Sequence, residues 1–207
     1  MLTKISEEVL KAVEGSPLGI ASLDVLFSLG LSDADTIKTT LSRLNKRGRI
    51  IRLKRGVYSA NPPKDQFAAA QAVFNGYLGF STALYLHKLT SELPFSITVV
   101  TRNTSKVKPV AGWEFKAVAL KEKAVGFEAK GPYTVSTRAK TLFDCLYLPR
   151  YGVERQKLLE AYSQDGLTKQ EWREFDSYCK KFAGKDMMEK AKAAKKAIGG
   201  GSRGNQH

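Results

Sequence analysis

The sequence predicts an α+β protein, with an N-terminal winged helix-turn-helix followed by a mixed α/β C-terminal domain that has a small sheet and packed helices. Three observations predict this class. A helical pattern with a polar face runs directly into a basic-tipped hairpin within residues 31–60. Two adjacent prolines, Pro62 and Pro63, then interrupt the chain. Beyond them, β-branched and alternating runs are interleaved with helical spacing.

The helix within residues 31–60 is predicted from its apolar spacing. Its apolar positions recur at i, i+4 and i+7 and are Ile37, Leu41 and Leu44. Ser32 is expected to cap this helix, because Asp35 follows at the spacing of a capping box. Gly48 is expected to lie just past its C-terminus.

Two β-prone runs follow that helix and predict a hairpin. Residues 50–53 (IIRL) and 57–59 (VYS) flank the turn formed by residues 54–56 (KRG). The segment from the end of the helix to this turn holds seven cations and no acid: Arg43, Lys46, Arg47, Arg49, Arg52, Lys54 and Arg55.

This order of elements is typical of a winged helix, in which a helix enters the major groove of DNA and the wing contacts the neighbouring backbone. The predicted DNA-binding residues are Thr39, Ser42, Arg43, Lys46, Arg47, Arg52, Lys54 and Arg55. The first three are assigned to base edges and the wing cations to phosphates. The alternative interpretation is a solvated basic helix followed by a β-turn in an ordinary α+β domain.

The chain is predicted to have three parts. Residues 1–60 form the winged helix-turn-helix, residues 65–184 an α+β domain, and residues 185–207 a basic, flexible tail. The tail is Ala/Lys-rich, marginal as a helix by itself, and ends in a Gly-rich stretch.

The remaining elements follow from periodicity and capping signals. Helices are predicted at 3–14, after Ser22 to Gly30, at 65–74, 80–89, 137–147 and 153–162, and after a capping box at Thr168 and Glu171. Strands are predicted at 96–101 and 113–120, with two short candidates at 125–127 and 133–135.

The composition favours an anionic partner. The 207 residues carry 34 Lys and Arg against 20 Asp and Glu, a net charge of +14 and a pI of about 9.8. Nucleic acid is the first expectation and a membrane surface the second. Cys145 and Cys179 lie in apolar surroundings without a CxxC motif, so buried free thiols in a reducing cytoplasm are expected. No metal site and no cofactor are predicted, because neither a ligand cluster nor a phosphate loop is present.

One segment resembles a membrane span. Residues 66–87 carry no formal charge over 22 positions. They contain six polar side chains and the breakers Asn75-Gly76 and Gly79, so two core helices joined by a turn are expected, and no membrane partner.

The order of several short motifs resembles the AbiEi family, whose members are antitoxins and transcriptional regulators of type IV toxin–antitoxin systems, first defined in phage abortive infection. The motifs are RG at 47–48, RGVY at 55–58, YLGFSTALYLH at 77–87, the strand ending VVT at 99–101, and VSTRAKTLFD at 135–144. The similarity covers residues 18–151.

The resemblance implies a winged helix that represses its own operon at inverted repeats in double-stranded DNA. It implies a C-terminal domain that counters a nucleotidyltransferase toxin encoded alongside, without binding it tightly. Carried over, the DNA contacts fall on the helix and wing residues named above. Stand-alone regulators share this architecture, and whether the protein acts as a monomer or dimer stays open.

No catalytic residue is predicted, and the chain is not expected to be an enzyme. Ser81, His87 and Asp144 could in principle form a nucleophile, base and orienting acid, but no GxSxG motif accompanies them. Asp144 is expected to pair with Lys140, four residues earlier on the same helix face. Arg138 and Lys140 are expected to be exposed cations of the second domain.

A second function is compatible with the charge. The chain would then be a non-specific nucleic-acid-binding adaptor, or a stand-alone transcription regulator, whose second domain binds a protein partner. The basic stretch from Lys180 onward, with eight Lys and Arg against two acids, favours this alternative.

Overall fold

The structure, a computed structural model, describes residues 3–201 and is an α+β fold, so the predicted class is confirmed. The chain divides into two compact units. The first comprises residues 1–75 and 108–114, and the second comprises residues 76–107 and 115–207. The sequence placed a boundary at the prolines of residues 61–64, whereas the division falls after Asn75.

The first unit contains the elements of a winged helix. They are α1 (Lys4–Gly15), β1 (Ile20–Ser22), α2 (Leu23–Ser28), α3 (Ala34–Lys46), β2 (Ile50–Lys54), β3 (Val57–Ala60) and α4 (Gln66–Phe74). The three strands form an antiparallel sheet in the order β1-β3-β2. The helix and hairpin predicted at residues 31–60 are therefore confirmed, whereas the short strand β1 was not predicted.

Apolar side chains from all three leading helices form the core of this unit. Its buried members are Val9, Leu10, Val13, Ala21, Leu26, Ile37, Leu41, Leu44, Ile50 and Tyr58. The apolar spacing of α3 thus predicted its buried face correctly. Burying a side chain such as Leu41 stabilises the fold by about 1.5–3 kcal/mol.

The N-terminus of α3 differs from the prediction. Asp33, not Ser32, is the N-cap residue, and its Oδ1 accepts hydrogen bonds from the backbone N–H groups of Asp35 (3.1 Å) and Thr36 (2.9 Å). The capping box predicted from Ser32 and Asp35 is wrong, because the helix begins one residue later. At the other end Gly48 has φ +65°, and this left-handed conformation follows the last helical turn as expected.

The second unit contains the remaining elements. They are β4 (Tyr77–Leu78), α5 (Phe80–Leu86), β5 (Ser96–Thr101), β6 (Lys106–Val110), β7 (Trp113–Ala119), β8 (Phe127–Lys130), β9 (Tyr133–Ser136), α6 (Arg138–Tyr147), α7 (Arg155–Asp165), α8 (Lys169–Phe182) and α9 (Lys185–Gly201). The tip of the β6–β7 hairpin, residues 108–114, groups with the first unit.

A mixed six-stranded sheet has the order β6-β7-β5-β4-β9-β8. Its central strand β4 pairs antiparallel with β5 and parallel with β9. Gly76 permits this close approach, since a Cβ there would lie 2.1 Å from the carbonyl oxygen of Val100. The strands predicted at 96–101 and 113–120 are confirmed, whereas β4 and β6 were not predicted.

The helices of the second unit pack into one core. Its largest fully buried side chains include Phe80, Phe143, Tyr162 and Phe175. The predicted capping box of α8 is confirmed: Glu171 N–H donates to Thr168 Oγ1 at 3.2 Å, and Thr168 N–H donates to Glu171 Oε2 at 2.7 Å.

The flexible tail predicted for residues 185–207 is wrong for its first part, because residues 185–201 form α9. One face of α9 is buried in the core of the second unit through Met187, Ala191, Ala194 and Ile198. The Ala and Lys composition suggested a helix that is marginal in isolation, and burial of this face supplies the stabilisation. Residues 202–207 of the predicted tail lie outside the described part of the chain.

The uncharged segment of residues 66–87 folds as α4, β4 and α5. Within residues 3–201, no helix has both the length and the apolar character needed to cross a bilayer.

Candidate nucleic-acid interface

The outer face of α3 carries the residues assigned to base edges. Thr39, Ser42, Arg43 and Lys46 are all exposed, on the opposite side of the helix from buried Leu41 and its neighbours. This face offers hydroxyl groups and two cations at helical spacing. Such groups can donate hydrogen bonds to base edges and to phosphates.

The hairpin β2–β3 continues the basic surface. Arg47, Arg49, Arg52 and Arg55 are exposed, the last at the turn where Gly56 has φ +75°. The pairing register shifts between Arg52 and Lys54, which marks an irregularity just before the tip. Bulges of this kind increase local twist and redirect side chains.

Asn45 fixes the hairpin relative to the helix. Its Oδ1 accepts a hydrogen bond from the backbone N–H of Arg52 at 2.8 Å. On the other side of the α3–β2 connection, Asn61 Nδ2 donates to the carbonyl oxygen of Gly48 at 2.7 Å. These two side chains hold α3 and the wing in one geometry. Neither residue could be identified from the sequence, because an Asn at a helix end carries no distinctive spacing signal.

The surface made by Thr39, Ser42, Arg43, Lys46, Arg47, Arg52, Lys54 and Arg55 is here called the helix–wing surface. Within the described part of the chain, no carboxylate forms an ion pair with any of its arginines or with Lys46. The acids of α3 lie at its N-terminus, where Asp33 caps the helix and Asp35 pairs with Lys38 at 3.2 Å. The surface therefore carries a concentrated positive charge that is not neutralised internally.

Lys54 departs from the rest of the helix–wing surface. It is half-buried, and its ammonium group donates a hydrogen bond to Asn75 Oδ1. Burial lowers the pKa of Lys54 from its ordinary value. Lys108 lies against the same hairpin and donates to the carbonyl oxygen of Leu53. Lys54 is therefore less available to a phosphate than its exposed neighbours Arg52 and Arg55.

The two cations expected to be exposed in the second domain are not free. Lys140 is 0% exposed and pairs with Asp144, also 0% exposed, as the i,i+4 spacing predicted. Arg138 is partly buried: its Nη2 lies 2.8 Å from Asp165 Oδ2 and donates to the carbonyl oxygen of Gly166. The expectation of exposure was wrong for both, because α6 is enclosed by the core along nearly its whole length.

Burial shapes the electrostatics of the pair. Desolvation raises the pKa of Asp144 to about 6 and lowers the pKa of Lys140, while the attraction between the two charges opposes both shifts. Lys140 also lies over the rings of Phe143 and Tyr178, at 5.6 and 5.8 Å from their centroids. The pair is a structural feature of the core with no access to solvent.

The side chains considered for nucleophilic catalysis are separately engaged. His87 is buried; its Nε2 donates to the carbonyl oxygen of Ser136 at 2.7 Å, and its Nδ1 accepts from Lys130 Nζ at 3.1 Å. Burial lowers the pKa of His87, so the neutral ring is favoured. Asp144 is bonded to Lys140. Among the described residues, no hydrogen bond joins Ser81, His87 and Asp144.

Both cysteines are buried and unbonded, and burial raises the pKa of each thiol, that of Cys179 to about 11. Such thiols are protonated and inert at neutral pH. Within residues 3–201, no three His, Cys, Asp or Glu side chains are grouped as metal ligands would be.

No protein-family model matches this chain, and no curated protein matches it in sequence.

Proposed function

We propose that this protein is a DNA-binding transcriptional repressor that recognises its operator with α3 and contacts the flanking DNA phosphates with the β2–β3 wing. One observation carries the proposal: exposed cations without acidic partners converge on a helix and hairpin that Asn45 ties together. Neutralising phosphates supplies much of the free energy of DNA binding, and it requires cations that are not already paired.

The geometry supports a division of roles within the helix–wing surface. Thr39, Ser42 and Arg43 lie along the exposed face of α3, where a helix in the major groove meets base edges. Arg52 and Arg55 lie on the wing and contact phosphates. The protein is expected to act in the cytoplasm, where its operator is accessible.

Binding to the DNA upstream of its own coding sequence tests this proposal. Affinity is measured by gel shift or anisotropy at several salt concentrations, against random duplex DNA of the same length. About five phosphate contacts by the helix–wing surface predict that this surface alone contributes about −4 to −5 to the log–log salt slope, together with tighter binding to the upstream repeats. Equal affinity for both duplexes would contradict a repressor.

We further propose that the protein is an antitoxin of AbiEi type, which counters a nucleotidyltransferase toxin. The order of motifs at 47–58, 77–87 and 135–144 supports this proposal. The structure places the last two of these motifs in the second unit, within α5 and α6 and the strands before them. The second unit is therefore expected to carry the antitoxin activity.

Co-expression with the nucleotidyltransferase encoded beside it tests the antitoxin role. Restored growth is expected from the full chain and from a variant whose helix–wing arginines are replaced, because neutralisation then resides in the second unit. If neither restores growth while the full chain still represses, the protein is a stand-alone regulator.

A further inference from the structure

Most of the excess positive charge of this protein lies outside the winged helix. The first unit holds 12 Lys and Arg against 8 Asp and Glu, whereas the second unit holds 22 against 12. The helix–wing surface therefore accounts for less than half of the net charge of +14. A repressor that bound DNA only through the helix–wing surface would not need the positive charge of the second unit. Where that charge lies in the second unit therefore bears on function.

Several cations of the second unit are already used within the fold. Lys140 is buried against Asp144, and Arg138 is bound to Asp165. On the surface, Lys157 pairs with Glu92 at 2.8 Å and Lys195 pairs with Asp176 at 2.6 Å. In each of these pairs the positive charge is offset by an acidic neighbour.

The exposed face of α9 is different. The helix buries Met187, Ala191, Ala194 and Ile198, and at 100° per residue the opposite face presents Lys185, Lys192 and Lys196. These three exposed lysines are here called the α9 lysine ridge. None of them has a carboxylate within salt-bridge distance among the described residues. Glu189 shares the face without pairing to any of them.

The dimensions of the ridge suit a regular polyanion. Lys196 lies eleven positions after Lys185, so the ridge is about 16 Å long at 1.5 Å per residue. Duplex DNA presents one negative charge for about every 1.7 Å of its axis. A ridge of this length can therefore meet several phosphates at once.

The packing of α9 argues against insertion of this helix into a membrane. An amphipathic helix that binds a bilayer inserts its apolar face among the lipids. The apolar face of α9 is occupied by the protein core, with Ala194 0% and Ile198 2% exposed. Only the polar face of α9 is available, and its chemistry is that of a phosphate-binding surface.

We propose that the α9 lysine ridge is a second DNA-binding surface, which contacts the phosphate backbone without reading sequence. It acts independently of the helix–wing surface and adds to the affinity of the full chain for any duplex. Removing residues 185–207 would not test it, because that deletion also removes part of the core of the second unit.

Substitutions on the exposed face provide the test. The ridge variant K185Q/K192Q/K196Q is compared with the control R102Q/K121Q/K169Q, which removes three exposed cations elsewhere in the same unit. Both variants change the net charge equally. Binding of the full chain to random duplex DNA is measured from low to moderate salt, with thermal unfolding to show that both variants are folded.

The ridge variant should reduce the magnitude of the salt slope by about 2 to 3, and the control by less than 1. In the opposite direction, Glu189→Gln should tighten binding about two- to five-fold at low salt, since it removes the one carboxylate on that face. A gain in affinity cannot arise from loss of folding. Equal slopes for the ridge and control variants, or no gain for Glu189→Gln, would overturn the proposal.

Two further measurements distinguish DNA binding by the α9 lysine ridge from membrane binding and from DNA binding by the helix–wing surface. If the ridge variant lost binding to phosphatidylserine vesicles but kept its full DNA slope, the ridge would be a membrane surface and the proposal would fail. The R43Q/R55Q variant isolates the repressor proposal, because loss of preference for the upstream DNA tests the helix–wing surface alone. When the ridge substitutions are added to R43Q/R55Q, they should still reduce the salt slope on random duplex DNA.

Discussion

The cations of the winged helix and those of α6 have the same chemistry and opposite environments. Arg43, Arg52 and Arg55 are exposed on α3 and its hairpin, without acidic partners in the described part of the chain. Lys140 and Arg138 lie on α6, where the first is fully buried against Asp144 and the second is held by Asp165. A positive charge in the sequence therefore indicates a binding partner only where the fold leaves that charge exposed and unpaired.

The two environments also have different energetic consequences. An exposed arginine without a partner contributes little to the stability of the fold, so its charge remains available to neutralise a phosphate. A buried lysine and carboxylate depend on each other, because removing either leaves the other uncompensated in the core. Substitutions in the two regions should therefore affect different measurements.

The largest expected effect is on the buried pair. Lys140→Met should lower the free energy of unfolding by about 3–5 kcal/mol, because it leaves Asp144 buried and unpaired. The double variant K140M/D144L removes both charges and should lose much less. Urea unfolding of the three proteins measures the difference, and equal losses for the single and double variants would contradict a coupled pair.

The loss in Lys140→Met should also depend on pH. Burial already raises the pKa of Asp144 to about 6, and removing Lys140 raises it further. The folded state then binds a proton that the unfolded chain releases above about pH 4. The free energy of unfolding of Lys140→Met should therefore fall as the pH rises from 5 to 8, relative to the wild type.

The next effect is on DNA recognition. Arg43→Ala should weaken binding to upstream DNA by about 1–3 kcal/mol and relax specificity, whereas Arg52→Ala should weaken specific and random DNA alike. Lys54→Ala should have a smaller effect than Arg52→Ala, because its ammonium is already bonded to Asn75. Titrations of both duplexes with each variant measure these differences. An Arg43 variant with unchanged specificity would contradict base contact by α3.

Loss of the hydrogen bond that links α3 to the wing should have a smaller effect. Asn45→Ala removes the acceptor of the Arg52 N–H bond and should cost about 0.5–1.5 kcal/mol of stability. DNA affinity should fall with no cation removed, because the wing is no longer held against α3. Asn45→Asp retains the acceptor oxygen and should keep the stability.

The smallest effect distinguishes two neighbouring residues at the start of α3. Asp33→Ala removes the cap and should lower Tm by roughly 2–4 °C, whereas Ser32→Ala should leave Tm unchanged. Calorimetry on the pair measures the difference. If Ser32→Ala were the more damaging, the capping box suggested by the sequence would be present in solution.

Much of the first unit could be predicted from the sequence, because its signals are local. The spacing of Ile37, Leu41 and Leu44 identified the buried face of α3, and the Gly-containing turn identified the hairpin. The cap was misplaced by one residue, since Ser32 and Asp33 are both good N-cap residues and only the backbone decides between them.

The second unit was harder to predict because its features depend on distant contacts. The polar side chains of α6 suggested an exposed surface, yet neighbouring helices enclose Lys140. Residues 185–201 looked flexible because α9 is stabilised by a core that includes residues more than a hundred positions away in sequence, such as Tyr77 and Phe80. Strand β4 has only two residues and no periodicity to detect.

The most direct measurement compares two variants of the first unit that carry the same change in charge. R43Q/R55Q alters the helix–wing surface, and K4Q/K11Q alters exposed lysines of α1. On the upstream DNA, the first variant should lose its preference over random duplex through Arg43 and about one unit of salt slope through Arg55, while the second should bind as the wild type does. Equal affinities and slopes for the two variants would show that α3 and the wing do not bind DNA.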